Sequence, residues 1–356
     1  MRPQWNRSNT KTSQALLRVT LGTPWLRLSS ALLVLAQLST IACSKETPVV
    51  TPSSAAAAAV EKSEAVAAAA AQGAGTDTTL PKIDARRAFQ YTKEVTAFGA
   101  RYMGNENHKK LERYITDHLK GDQVEDDAFV ADTVEGKFPV RNIIAKFPGK
   151  KDGIIAILGH YDTVYSLRNS GFVGANDGGS STAILLEFAN QLRGATTSKP
   201  RDGYSVWLVW TDGEEAVRTW SDTDSLYGTR HLAEKWEKDG TLKKIKALMV
   251  MDMIADADLN IDRDTNSAPW LLDLIYSAAQ RGGYQSHFYG RTGPLEDDHL
   301  PFAKRGVPCA DVIDLDYGYN NVFHHSPQDT MDKLSPTSME IVGNTIMETI
   351  RMLDQR

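Results

Sequence analysis

Four short blocks of acidic and histidine side chains follow apolar runs in this 356-residue chain. In chain order they are 159–162 (GHYD), 174–179 (GANDGG), 210–215 (WTDGEE) and 324–330 (HHSPQDT). Zinc binds histidine nitrogen and carboxylate oxygen, and a catalytic zinc keeps one coordination position open. Loops that follow parallel strands meet at one edge of an α/β sheet. Together the four blocks predict a zinc enzyme with its site at that edge.

Each block taken singly has an ordinary structural interpretation. The Asn-Asp-Gly around Asp177 is usually only a turn, although a turn that leads into a helix also exposes the carboxylate. Glu214 and Glu215 point in different directions at a strand end, so that one can bind metal while the other transfers protons; a solvated acidic loop is the alternative. His325 precedes Asp329 by four residues, a spacing that lets the carboxylate orient the loop or the ring.

Apolar strand-like runs and amphipathic helical segments alternate after residue 81 and would position these blocks. Strands are predicted at 123–130, 141–147, 154–158, 204–210, 247–251 and 307–313, and helices at 182–193, 225–238, 269–282 and 335–354, with two more within 83–119. This alternation predicts an α/β fold, a three-layer sandwich whose central, mixed and largely parallel sheet is flanked by helices. The residues that closely follow a core strand are His160, Asp177, Glu214, Glu215 and Asp252.

The first 80 residues have the composition of a targeting segment followed by a linker. Five Lys or Arg and no Asp or Glu accompany a short apolar run that ends near Ala42-Cys43, as in an export signal with a lipobox. A signal anchor or plain secretion is the alternative. Residues 44–80 are rich in Ala, Ser and Thr and have too few large apolar groups to offset ordering entropy. We predict a signal peptide over 1–43, a disordered tether over 44–80 and a catalytic domain over 81–356.

The charge balance restricts the partners of the exported protein. Removing the five basic residues of the signal from the chain's 40 Lys and Arg leaves 35 against 45 Asp and Glu, a net charge of −10. This balance argues against nucleic acid or an anionic surface as a partner. We expect a monomer, anchored to the bacterial cell envelope (outer membrane or periplasm) only by a lipid on Cys43. The other cysteine, Cys309, lies in an apolar strand and is expected to be buried.

From about residue 85 onward the motif series resembles the zinc aminopeptidase-like peptidases of family M28. Two segments are more similar to the animal-type glutaminyl-peptide cyclotransferases. The first runs from 212–216 (DGEEA) through Trp220 to 224–233 (DSLYGTRHLA), and the second is 296–302 (EDDHLPF) followed by 305–308 (RGVP). The resemblance implies an acyltransferase that converts the N-terminal glutamine of peptides or proteins to pyroglutamate and releases ammonia.

The resemblance also implies roles for individual residues. It implies one zinc ion held by Asp177, Glu215 and His325, and Glu214 as the residue that shuttles the proton. It further implies that Asp252 and Asp297 form a hydrogen-bond network beside Glu214, and Asp298 is an alternative to Asp297. Trp220 would form a wall of the substrate pocket. In the animal pattern a tryptophan precedes the ligand histidine, whereas this chain has His324 there. That departure affects the substrate pocket more than the zinc-binding residues.

Two other functions remain open from the residues alone. In a zinc aminopeptidase, His160, Asp177 and Asp252 would hold a second metal, and Glu214 would activate a water. All of those residues are present, but segment 216–233 favours cyclisation. A non-enzymatic binding domain on the same fold is the third function. It is disfavoured because every ligand position is filled.

Overall fold

A six-stranded sheet forms the centre of the structure, a computed structural model that describes residues 80–196 and 199–356. The predicted signal peptide, and the predicted tether up to residue 79, lie outside the described residues. The strands are β1 (Gln123–Thr133), β2 (Gly136–Phe147), β3 (Gly149–His160), β4 (Arg201–Thr211), β5 (Ile245–Asp252) and β8 (Cys309–Ile313). Their spatial order is β1-β2-β4-β3-β5-β8.

The sheet is mixed. Strands β4, β3, β5 and β8 run parallel, and β1 and β2 add an antiparallel hairpin at one edge. Helices follow the parallel strands, as a parallel connection requires. They are α3 (Gly179–Thr196), α4 (Tyr227–Lys238), α5 (Pro269–Gly282), α6 (Leu300–Ala303) and α7 (Pro336–Asp354), while α1 (Ala85–Thr96) and α2 (Glu106–His118) precede the sheet in the chain.

The parallel strands are covered on both faces, which confirms the predicted three-layer α/β architecture. Along β3, Ile155 and Ile157 pack into one apolar cluster, while Ile154, Ala156 and Leu158 pack into another. Residues from α1, α2, α3, α5 and α7 belong to the first cluster, and residues from α4 and α6 belong to the second. Because successive side chains of a strand point to opposite faces, an unbroken apolar run fits a strand covered on both sides.

The structure also contains elements that the sequence patterns did not predict. A two-stranded sheet pairs β6 (Ile261–Asp264) with β7 (Phe288–Gly293), and its strands are too short and polar to give a clear periodic signal. Helix α3 begins at Gly179, earlier than predicted, directly after the Asn-Asp-Gly turn. The predicted helix cap at Ser335 is confirmed, since its side chain accepts from the backbone N–H of Thr337. Among the described residues, no helix is both long and apolar enough to cross a membrane.

Candidate active site

The predicted site residues meet at the carboxyl ends of the parallel strands. His160 ends β3, Asp252 ends β5, and Glu214 and Glu215 follow β4. Glu214, Glu215 and Asp252 border a cavity of about 240 Å³. Its lining side chains are Asp177, Glu214, Glu215, Trp220, Asp252, Met253, Glu296, Asp297, Ile313, Leu315, His324 and His325. The structure therefore brings all seven predicted catalytic, metal and substrate residues to one pocket.

Three of these side chains form the predicted metal-binding set. The Nε2 atom of His325 lies 3.3 Å from Asp177 Oδ2 and 3.2 Å from Glu215 Oε1. Both carboxylates are buried, while the His325 side chain is 39% exposed and closes the set from the solvent side. One imidazole and two carboxylates form a donor set that suits zinc and leaves a fourth position for substrate or water.

The electrostatics of this set also fit a bound cation. Burial opposes the charged form of His325, but the carboxylates of Glu215 and Asp177 outweigh it and raise its pKa to about 11. Within the described residues, the buried Oδ2 of Asp177 receives no hydrogen bond of good geometry. Because buried polar atoms are normally partnered, this oxygen is available as a metal ligand. A divalent ion would supply the positive charge that protonated His325 supplies here.

His160 forms a second set on the other side of Asp177. Its Nε2 lies 3.2 Å from Asp177 Oδ1 and 3.1 Å from Asp252 Oδ1. The two carboxylate oxygens of Asp177 therefore face two different histidines. One ligand atom from each of His160, Asp177 and Asp252 falls within 4.8 Å of the others. This is the arrangement that the aminopeptidase alternative requires for a second metal.

Glu214 lies beside the metal-binding set and has the electrostatics of an acid that can hold a proton. It is buried, and its Oε2 is 4.0 Å from His160 Nδ1. Burial raises the pKa of Glu214 well above its usual value; the charge of His160 opposes this shift, and the charges of Glu215 and Asp297 reinforce it. A carboxyl with a raised pKa is suited to accept and return a proton near neutral pH.

The structure separates the two candidate network acids. Asp297 lines the pocket, and burial together with the nearby Asp252 charge raises its pKa to about 6. Asp298 lies behind it and accepts hydrogen bonds from Thr211 Oγ1 at 2.5 Å and Thr229 Oγ1 at 2.6 Å. Both Asp298 oxygens accept from hydroxyl groups, and of this pair only Asp297 lines the pocket.

Two buried aspartates hold the ligand loops through backbone N–H groups. Asp162 accepts from the N–H groups of Glu214 at 3.2 Å and Glu215 at 3.4 Å. Asp329 accepts from Asn176 at 2.8 Å and from Asp177 at 3.2 Å. Of the two roles that the spacing from His325 allowed, Asp329 therefore orients a loop, and the loop is the one that carries Asp177. The sequence analysis gave Asp162 no such role, although its place in the GHYD block was a signal.

The outer wall of the pocket consists of loop residues. Trp220 is partly exposed, and its Nε1 donates to Glu296 Oε2 at 3.0 Å. The loop that carries it is held by Asp224, which accepts from the backbone N–H groups of residues 217–219. His325 has a φ of 47°, in the left-handed region that non-glycine residues rarely occupy. Such strained backbone is often found at functional sites.

His108 is a buried residue near the site that the sequence gave no reason to select. Its Nε2 lies 2.7 Å from Asp212 Oδ1, and its Nδ1 lies 3.1 Å from Glu112 Oε1. Asp212 also accepts from the backbone N–H of Arg141. His108 thus attaches the start of the Asp-Gly-Glu-Glu loop to helix α2. Its partner in the site loop is 104 residues away, so no local spacing indicates the pairing.

Comparisons with known proteins identify first the family and the fold of this chain. The profile of Peptidase family M28 matches residues 142–350. A Zn-dependent exopeptidase from Parabacteroides distasonis shares the fold, with a TM-score of 0.68 at 23% identity over 78% of this chain and 100% of that chain. That likeness concerns the fold alone.

More similar proteins are glutaminyl cyclases. The glutaminyl-peptide cyclotransferase of Drosophila melanogaster is 30% identical over 240 residues, which are 61% of this chain and 68% of the fly protein. The crystal structure of an Acidobacteriales bacterium glutaminyl cyclase is 48% identical, with a TM-score of 0.76, and covers 80% of this chain and 99% of that chain. The chain therefore belongs to peptidase family M28 and, within it, to the glutaminyl-peptide cyclotransferases.

Proposed function

We propose that this protein converts the N-terminal glutamine of peptides to pyroglutamate with release of ammonia, using one zinc ion. The observation that carries the proposal is the small pocket, in which Glu214 lies beside the candidate ligands Asp177, Glu215 and His325. Its volume of about 240 Å³ is below the roughly 300–1,000 Å³ of most ligand pockets. The pocket therefore suits a single terminal residue. The 48%-identical glutaminyl cyclase supports the same chemistry.

The roles of the residues follow from what cyclisation requires. The substrate's α-amine attacks the carbonyl carbon of its own side-chain amide, so a C–N bond forms within one residue and the bond to the amide nitrogen breaks. Glu214 accepts the proton that the amine loses and returns it to the departing nitrogen, which leaves as ammonia. When bound by Asp177, Glu215 and His325, zinc supplies Lewis-acid polarisation of the side-chain carbonyl. No water enters the products.

The remaining pocket residues prepare this proton transfer. Asp252 and Asp297 place further carboxyl groups beside Glu214, so that the cluster holds a shared proton. Trp220 covers the substrate and holds it in the folded geometry that the intramolecular attack requires. We propose Glu214, Asp252 and Asp297 as the proton-handling residues and Trp220 as the pocket wall.

A second candidate function is a two-metal aminopeptidase, which the set His160, Asp177 and Asp252 favours. An assay separates the two. The purified protein is given an N-terminal glutaminyl dipeptide and, separately, a chromogenic leucine amide. Cyclisation releases ammonia and lowers the dipeptide mass by one ammonia, and a chelator abolishes it. Chromophore release without cyclisation would instead establish the aminopeptidase.

We further propose that the protein is exported and attached to the cell envelope by a lipid on Cys43, and that it acts as a monomer. The basic leader, the short apolar run and Ala42-Cys43 support the export and lipid parts of the proposal. Mass spectrometry of the mature N-terminus tests it. A lipid-modified cysteine is expected in wild type, and the Cys43→Ser variant should leave the membrane fraction. An unmodified mature N-terminus would indicate plain secretion.

A further inference from the structure

His324 lines the active pocket, yet it has no role in the mechanism above. Its ring centre lies 4.0 Å from that of His325. One of its ring nitrogens is within 4.8 Å of ligand atoms of both Asp177 and His325. The side chain is therefore close enough to the candidate metal set to contact a bound substrate.

The amide of Asn321 fixes which nitrogen of His324 carries the proton. The backbone N–H of Tyr317 donates to Asn321 Oδ1 at 3.0 Å, which settles the orientation of the amide. Asn321 Nδ2 then faces His324 Nδ1 at 3.1 Å. Because an amide NH₂ can only donate, Nδ1 is the acceptor and carries no proton. The imidazole is therefore neutral, with its single N–H on Nε2.

The same arrangement is tied to the metal-binding loop. The hydroxyl of Tyr317 donates to Asp329 Oδ1 at 2.9 Å. Asp329 is the carboxylate that also holds the backbone of Asp177. The orientation of His324 and the position of a metal ligand therefore depend on one connected set of hydrogen bonds.

A neutral N–H donor is scarce among the side chains of this pocket. Five of the lining side chains are carboxylates, namely Asp177, Glu214, Glu215, Asp252 and Asp297, and Glu296 is a sixth at the mouth. The indole N–H of Trp220 is already donated to Glu296, and Nε2 of His325 faces Asp177 and Glu215. A substrate carbonyl that enters this acceptor-rich pocket needs a donor.

We propose that the Nε2–H of His324 donates a hydrogen bond to the carbonyl oxygen of the substrate's first peptide bond. This inference rests on the proposed cyclotransferase function. The α-amine of the substrate is directed to Glu214 and its side-chain amide to the metal-binding set. The first peptide carbonyl is the remaining strong acceptor of the terminal residue. His324 is thus a substrate-binding residue that selects a peptide-linked glutamine.

The test compares two substrates in wild type and two variants. One substrate is a glutaminyl-alanine dipeptide amide, and the other has its first peptide bond replaced by an (E)-alkene, which removes the carbonyl. In His324→Phe, kcat/KM for the normal dipeptide should fall about tenfold, the value of one neutral hydrogen bond. For the alkene substrate, kcat/KM of His324→Phe should lie within about twofold of the wild-type value. His324→Gln keeps an amide N–H and should restore most of the lost kcat/KM.

Zinc content, measured on the same samples, distinguishes substrate binding from metal binding. Equal zinc in wild type and His324→Phe supports the proposal, whereas loss of zinc would make His324 a ligand and overturn it. An equal loss of activity on both substrates would also overturn it, because the donor would then act elsewhere. If wild type releases no ammonia from either substrate, the proposed function itself fails. If wild type turns over the normal dipeptide and both variants have the same kcat/KM as wild type, only the His324 inference is refuted.

Discussion

Two regions of the pocket are built differently. The strand-end rim, defined as Asp177, Glu214, Glu215 and Asp252, is buried beside the carboxyl ends of the parallel strands. The loop wall, defined as Trp220 and His324, is more exposed and lies on irregular loops. In the rim, buried aspartates accept from the backbone N–H groups of Asp177, Glu214 and Glu215. In the wall, the side chains of Trp220 and His324 face side chains of other loop residues, Glu296 and Asn321.

The difference indicates where the chemistry and the specificity reside. The rim contains the carboxylates that we propose for metal binding and proton transfer, and either family activity could use them. An exopeptidase with the same fold shows that the architecture does not determine the reaction. We infer that the rim sets the rate of the chemical step and that the wall selects the substrate. Three predictions on the pocket test this division, from the largest expected effect to the smallest, and a fourth concerns the stability of the fold around it.

Loss of the rim's proton carrier should have the largest effect. We expect Glu214→Gln to lower kcat by about 10²–10⁴, because the amide cannot shuttle a proton. Its zinc content should equal that of wild type, as measured by metal analysis. Glu296→Gln, at the mouth of the same pocket, is the matched control and should keep most of the activity. A Glu214→Gln enzyme with near-normal kcat would exclude Glu214 as the shuttle.

Loss of a carboxylate that supports the rim should act through the metal. Asp329→Asn removes one of the two acceptors that hold Asn176 and Asp177. Zinc affinity, measured by competition with a chelator, should fall about 10–100-fold, as for other residues that orient ligands. Asp332→Asn, exposed in the same loop, should bind zinc as wild type does. Unchanged affinity in Asp329→Asn would mean that Asp177 needs no external support.

Loss of the wall should affect binding more than chemistry. In Trp220→Ala we expect KM for a glutaminyl dipeptide to rise about tenfold, since an aromatic contact is lost. The kcat value and the zinc content should stay within about twofold of wild type. Trp270→Ala, another partly exposed tryptophan, on helix α5, is the control. A large fall in kcat with unchanged KM would place Trp220 in the chemical step and break the comparison.

His108 attaches the loop that carries Glu214 and Glu215 to α2, and this contact should make the free energy of unfolding depend on pH. Burial opposes the charge of His108, but Asp212 and Glu112 outweigh it and raise its pKa to about 10. A raised folded-state pKa stabilises the protein fully below the unfolded value of about 6.5, and this stabilisation is lost as the pH rises through about 10.

His108→Gln measures that contribution. At pH 7 we expect the variant to lower the free energy of unfolding by about 3 kcal/mol, because Asp212 loses its buried partner. The difference from wild type should shrink as the pH approaches 10. Urea unfolding at several pH values provides the measurement. A difference that stays constant across this range would mean that His108 is not charged in the folded protein.

The sequence by itself determined the α/β fold and the set of residues that meet. Apolar runs of strand length specify buried strands, and acids placed directly after them reach the carboxyl edge of the sheet whatever the loop details. The choice of Asp177, Glu215 and His325 as the metal set came from the resemblance to the cyclotransferases and not from spacing alone. The short, polar strands β6 and β7 were missed because four to six residues carry too weak a periodic signal.

Only the tertiary structure decided how those residues are held. The contact of Asp329 with Asp177 spans 152 positions, and that of His108 with Asp212 spans 104. The structure also distinguished Asp297, which lines the pocket, from Asp298, whose oxygens accept from Thr211 and Thr229. Hydrogen bonds act over about 3 Å in space, so their partners are determined by how the chain packs and cannot be derived from local spacing.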